Sequence, residues 1–188
     1  GVMAAKYVAE VDARYDLADW SSTSGAVSVD SSVVHGYHQR SLKLDTANPV
    51  TNALAFKAGS LVQAGGRSSI FFRFSTAFAA TSGVIAVLTT NVNDFVFIVR
   101  MRADGVLDII NDATTVLDTG ATALSANVWY RISFAYTITS VSINRIEVFI
   151  DGAPELSVTD ATLQFVAADT FRLGTGTGAG VDRLLYFS

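Results

Sequence analysis

Glu10 and Asp12 stand two residues apart, and alternate residues of an extended strand face the same side. Two carboxyls held about 5–5.5 Å apart are what retaining glycoside hydrolysis uses, one as nucleophile and one as acid. A second Glu two or three residues beyond Asp12 is missing, and Arg14 and Tyr15 stand there instead. The plainer reading, a first strand with alternating charge, has the greater weight. Glu147 has no carboxylate two residues away, and Glu155 follows Pro154 in a hairpin. His35 and His38 form an H-x-x-H pair without a third ligand or a helical H-E-x-x-H context. Exposed loop histidines are therefore expected there rather than a metal site. No serine lies in a G-x-S-x-G elbow, the turn that exposes a nucleophile in hydrolases. Gly174–Gly180 has neither the lysine nor the helix of a phosphate loop. The expectation is a protein that is not an enzyme.

Binding residues are easier to nominate. Trp20 and Tyr37 lie in loops among Ser, Gly and His, where an aromatic ring can stack on a sugar. The competing reading packs Trp20 over a sheet edge near Tyr15 and Leu17, as large aromatics are mostly buried. Trp129, in a strand-like stretch, is expected in or near the core. Asn91-Val92-Asn93-Asp94 and Asn111-Asp112 offer clustered oxygens, the ligands a calcium ion prefers. Asn93 and Asp94 are the candidates, against a plainer role for Asn and Asp in capping turns. No other cofactor is expected.

The elements that must position these residues are strands. The chain has 188 residues, net charge −4, 50% hydrophobic and 11% aromatic residues and no cysteine. So apolar a composition excludes disorder, and the missing cysteines exclude disulfides and thiolate metal centres. The acidic balance gives no basic surface for nucleic acid, and no apolar run has the length of a membrane helix. No secretory signal is visible at the first residues. Asp outnumbers Glu by 14 to 3, and Asp belongs to turns while Glu favours helices.

Alternation of period two recurs along the chain. Asp94–Arg102 places Phe95, Phe97, Val99 and Met101 on one side and Val96, Ile98, Arg100 and Arg102 on the other. The latter face is half apolar, which suggests a contact with another subunit. Asp104-Gly105 and Asp151-Gly152 each separate two apolar runs, a strong hairpin signal. The pattern predicts about a dozen strands at intervals of about ten residues in one all-β domain over 1–188. A mean hydropathy of +0.38 is high for a lone soluble domain. Part of the surface is therefore expected to be buried against other chains.

Four segments carry a family resemblance: Gly36–Leu44, Trp129–Tyr136, Glu147–Gly152, and Phe171–Gly174 with Val181–Leu184. Their order and spacing resemble concanavalin A-like, laminin-G-like jelly-roll domains. The resemblance implies an antiparallel β-sandwich. It also implies an acidic position at Asp182, a third metal candidate, which Asp16 or Asp19 would approach if the first and last strands pair. Glycosidases of this fold carry their carboxylates on a central strand, whereas Glu10 and Asp12 lie near the start of the chain. The leading expectation is a structural module of a larger assembly, a capsid decoration or fibre protein at a virion surface. Its partners would be copies of itself or other subunits. The alternative is a calcium-dependent, lectin-like module that binds glycans outside the cell, and a glycoside hydrolase ranks last.

Overall fold

The computed structural model describes residues 22–24, 26–36, 41–45, 54–58, 65–75, 83–89, 95–110, 115–139, 142–159, 170–174 and 184–187. Among them are fourteen strands and no helix. They are β1 (Ser22–Ser24), β2 (Ala26–Asp30), β3 (Ser41–Asp45), β4 (Leu54–Ala58), β5 (Gly65–Phe74), β6 (Gly83–Thr89) and β7 (Phe95–Met101). They continue with β8 (Val106–Ile110), β9 (Val116–Ala123), β10 (Tyr130–Thr139), β11 (Ser142–Ile150), β12 (Ala153–Val158), β13 (Thr170–Gly174) and β14 (Leu184–Phe187).

The strands form two seven-stranded sheets. The first runs β1-β4-β13-β6-β7-β8-β9 and the second β12-β11-β10-β5-β14-β3-β2. Every pairing is antiparallel. In the second sheet alternation decides the faces. Ile70, Phe72 and Phe74 of β5, Ile132 and Phe134 of β10, and Ile146, Val148 and Ile150 of β11 are buried. Each such side chain contributes about 1.5–3 kcal/mol by leaving water. Ser69, Phe71, Arg73, Arg131, Glu147 and Phe149 take the intervening positions, and so the opposite face.

Both expected hairpins form. Asp151 and Gly152 have φ of 51° and 92°, the two positive angles of a tight turn that follows strand twist. Gly105 has φ 82° and closes a longer turn, in which its N–H donates to Arg102 O at 3.0 Å. A Cβ on Gly105 would meet Leu124 O at 2.5 Å, so no side chain fits there.

Carboxylates close one flank of the sandwich. Glu155 of β12 accepts from Ala121 N and Thr122 N of β9 at 2.6 and 2.7 Å, and from Thr122 Oγ1 at 2.7 Å. In return Asp118 of β9 accepts from Ser157 N of β12 at 2.8 Å. Each edge strand thus spends exposed N–H groups on the other's acid, which blunts two edges that would otherwise invite foreign strands.

The first sheet corrects the expected subunit contact. Arg100 does share its face with Ile98, as the alternation requires. Ile98 pairs with Ile110 and Arg100 with Asp108, and Ile98, Asp108 and Ile110 are only 8%, 1% and 4% exposed. Among the described residues, the part of that face around Ile98 and Arg100 is therefore covered within the chain itself, while Arg102 at its end is exposed.

Candidate functional site

The outer face of the second sheet collects the aromatic and cationic side chains. Phe71 lies on β5, the central strand, and its backbone partner on β10 is Arg131. Directly opposed residues of one face bring their Cβ atoms to about 5 Å. Beside this pair, Ser69 and Ser133 bridge the same strands through their hydroxyls at 2.7 Å. Phe149 of β11 lies opposite Ser133 and extends the half-buried aromatic surface across a third strand.

Two loops complete the site. After β2, Asp30 Oδ1 accepts from Ser32 N, Ser32 Oγ and Val33 N at 2.7, 2.7 and 2.9 Å. This turn folds the chain back over the sheet, where Ser41 Oγ donates to Val33 O at 2.6 Å. His35 is thereby laid flat on Phe71, with ring centroids 3.7 Å apart and planes 18° from parallel. Trp129 meets the same imidazole edge-on at 5.6 Å and 68°. The loop bearing Trp129 is tied to the end of β5. Asn127 N donates to Phe74 O at 2.8 Å, Asn127 Nδ2 to Ser75 O at 3.2 Å, and Arg73 Nη2 to Asn127 Oδ1 at 3.1 Å.

Asp151 ties the β11–β12 turn to β10, exchanging bonds with the Arg131 backbone at 2.7 and 2.9 Å. The Arg131 side chain is exposed and extends over Gly152, where an added Cβ would lie 3.1 Å from Nη2. Burial lowers the pKa of His35, and the negative charge of Asp151 works against that shift. The imidazole is therefore held toward its neutral form.

Several sequence expectations change. His35 is not an exposed loop histidine but a half-buried member of an aromatic stack. Trp129 is not core; it is half-buried on the outer face just ahead of β10. Glu147 is bonded to Arg145 at 2.7 Å and Glu155 to the backbone of β9, so neither faces a second carboxylate among the described residues. No group of three His, Asp or Glu side chains suited to a metal occurs among the described residues. Trp20, Tyr37, His38, Asn93, Asp94, Asp182, Glu10 and Asp12 lie outside the described residues. So do Asp16, Asp19, Asn111 and Asp112. Phe71 and Arg131 were not among the nominated site residues; the signal for them was an aromatic and a cation on the polar side of alternating strands.

No protein-family model matches the chain, and no curated protein does. Solved structures do. Cip1, a cellulose-induced protein, matches with TM-score 0.72 and 13% identity over 93% of this chain and 90% of that one. The fold is a jelly-roll β-sandwich. An endo-β-1,4-glucuronan lyase from the fungus Trichoderma reesei matches with TM-score 0.67 and 16% identity, over 90% of this chain and 88% of its own. A carbohydrate esterase from the Shiga toxin-encoding bacteriophage phi24B matches with TM-score 0.61 and 20% identity, over 94% and 91%. These identities establish the fold alone, and the same frame serves a lyase and an esterase.

The comparison overturns the expected role as a virion structural module. Two of the matching structures are named as carbohydrate-active enzymes, and the bacteriophage protein among them is named an esterase rather than a coat or fibre component. Ile98, an apolar residue of the face expected to meet another subunit, is buried within the chain.

Proposed function

We propose that this protein is a carbohydrate-binding module that holds a glycan on the outer face of its second sheet. His35, Phe71, Trp129 and Arg131 are the contact residues. The observation that carries the reading is the stack of His35 on Phe71 beside Trp129, on the face turned away from the core. Aromatic surface left half-exposed on a sheet meets the C–H face of a sugar ring, while flanking polar groups meet its hydroxyls. Arg131 and the exposed Ser69, held by the buried Ser133, are such groups here. The carbohydrate-related names of the matching structures support the same reading.

Native electrophoresis through gels containing soluble neutral and acidic polysaccharides tests it. Wild-type protein should be retarded by at least one of them. Trp129→Ala should lose about 1–3 kcal/mol of binding, a scale set by ring stacking and area burial, while its urea midpoint holds. If no polysaccharide retards the wild type, the reading fails. New reducing ends in the same mixtures would make the face an active site rather than a binding site.

A further inference from the structure

We propose that the glycan is acidic, and that Arg131 takes the carboxylate of a uronic-acid residue whose ring lies against the aromatic cluster. The proposal rests on the carbohydrate-binding reading and deepens it. Its ground is a difference among the arginines with described side chains. Arg100 is bonded to Asp108, Arg102 to Asp104 and Arg145 to Glu147, at 2.7, 3.0 and 2.7 Å. Arg73 donates to Asn127 Oδ1 at 3.1 Å. The Arg131 guanidinium has no acceptor among the described residues and is exposed to solvent.

The neighbouring acid in the β11–β12 turn does not occupy it. Asp151 Oδ1 accepts instead from the Arg131 backbone N–H at 2.7 Å, which fixes the strand rather than the guanidinium. The free fork therefore stands over Gly152, on the β11 side of β10, while Phe71 pairs with the Arg131 backbone from the β5 side. A planar guanidinium presents parallel N–H donors that match a planar carboxylate, and this geometry is worth more than a point charge. A uronic acid supplies both required halves, a ring with an apolar face and a carboxylate at its rim. Lys43 of β3 and Arg73 of β5 lie in the register row that crosses Tyr186 of β14. They add positive charge along the path that a longer acidic chain would follow.

The test compares polyglucuronate with a neutral β-1,4-glucan in affinity electrophoresis, using wild type, Arg131→Gln and Arg131→Lys. Wild type should bind the polyuronate at least about tenfold more tightly than the neutral chain, the scale of a charge-assisted bidentate bond. Arg131→Gln should lose that excess and bind the two polymers alike, whatever happens to its affinity for the neutral chain. Arg131→Lys should recover only part of it, since an ammonium lacks the fork. Circular dichroism and the urea midpoint verify that each variant is folded. Equal binding of both polymers by wild type, unchanged in Arg131→Gln, would overturn the uronate assignment and leave the carbohydrate reading standing. Binding of neither polymer by wild type would sink the uronate assignment together with the reading beneath it.

Discussion

Arg100 and Arg131 occupy matching situations in the two sheets. Each lies on a strand, on the side away from the buried core residues that flank it, and each stands across from its neighbour's backbone in strict register. Their fates differ. Arg100 meets Asp108 through two bonds of 2.7 and 2.9 Å, and the Asp108 side chain is 1% exposed. Arg131 faces a phenylalanine and keeps its guanidinium in solvent. Around Arg100 the outer face is covered and internally neutralised, while around Arg131 it is open and carries a cation on the face that holds aromatic rings. A charge on a strand thus says little until its opposite number and its cover are known.

The comparison breaks most readily at Asp108. Replacing it with Ala strands Arg100 in a largely covered site, and removing one partner of a buried pair costs about 3–5 kcal/mol. Arg131→Gln should stay within about 0.5 kcal/mol of wild type, as a surface change does. Urea denaturation of both variants settles the matter. Similar losses in the two would mean that Arg131 is also structural.

A smaller effect belongs to the flank where the two sheets meet. Burial opposes ionisation of Glu155, but the donors Thr122 N, Thr122 Oγ1 and Ala121 N outweigh it and hold its pKa below the ordinary value. A depressed folded-state pKa gives stability that is present above the unfolded value and lost as pH falls through the folded one. The clamp should therefore weaken in acid below about pH 4.3. Glu155→Gln should lower stability by about 1 kcal/mol at neutral pH, because the site is partly solvated. The same variant should flatten the acid limb of the urea midpoint plotted against pH. An unaltered acid limb would assign that loss to other carboxylates.

The smallest effect sharpens the open face. Burial lowers the pKa of His35, so the stability tied to its neutral form is full above about pH 6.5 and declines as pH falls below it. His35→Phe should remove this decline while preserving an aromatic stack on Phe71. Proton NMR titration of the His35 ring gives the midpoint directly, and a value above the ordinary histidine range would contradict the burial argument.

The strands that were plain in the sequence are those with one wet and one dry face. Ser69–Ser75 and Arg145–Ile150 alternate except at Phe71 and Phe149, aromatic residues on the outer side, and both Asp-Gly turns require the positive φ that glycine supplies cheaply. Strand β9 is harder to read, because Val116–Ala123 is mostly exposed at a sheet edge and has no dry face for alternation to mark. Its partner across the flank, Glu155, looked like an ordinary hairpin acid until the structure joined it to Ala121 and Thr122. The site was harder still. His35 and Phe71 are far apart in the chain, and the link between them is the turn that Asp30 caps after β2.

An all-β chain, the two Asp-Gly turns and the apolar side of most strands are legible in the residues alone, because these follow from side-chain period and glycine conformation. Tertiary structure alone decided that Arg100 is neutralised and Arg131 is not, that Trp129 is at the surface, and that a histidine stacks on Phe71. The physical reason is that pairing and burial are properties of neighbours. Neighbours here come from strand register and from loops folded over a sheet, which no local pattern of residues encodes.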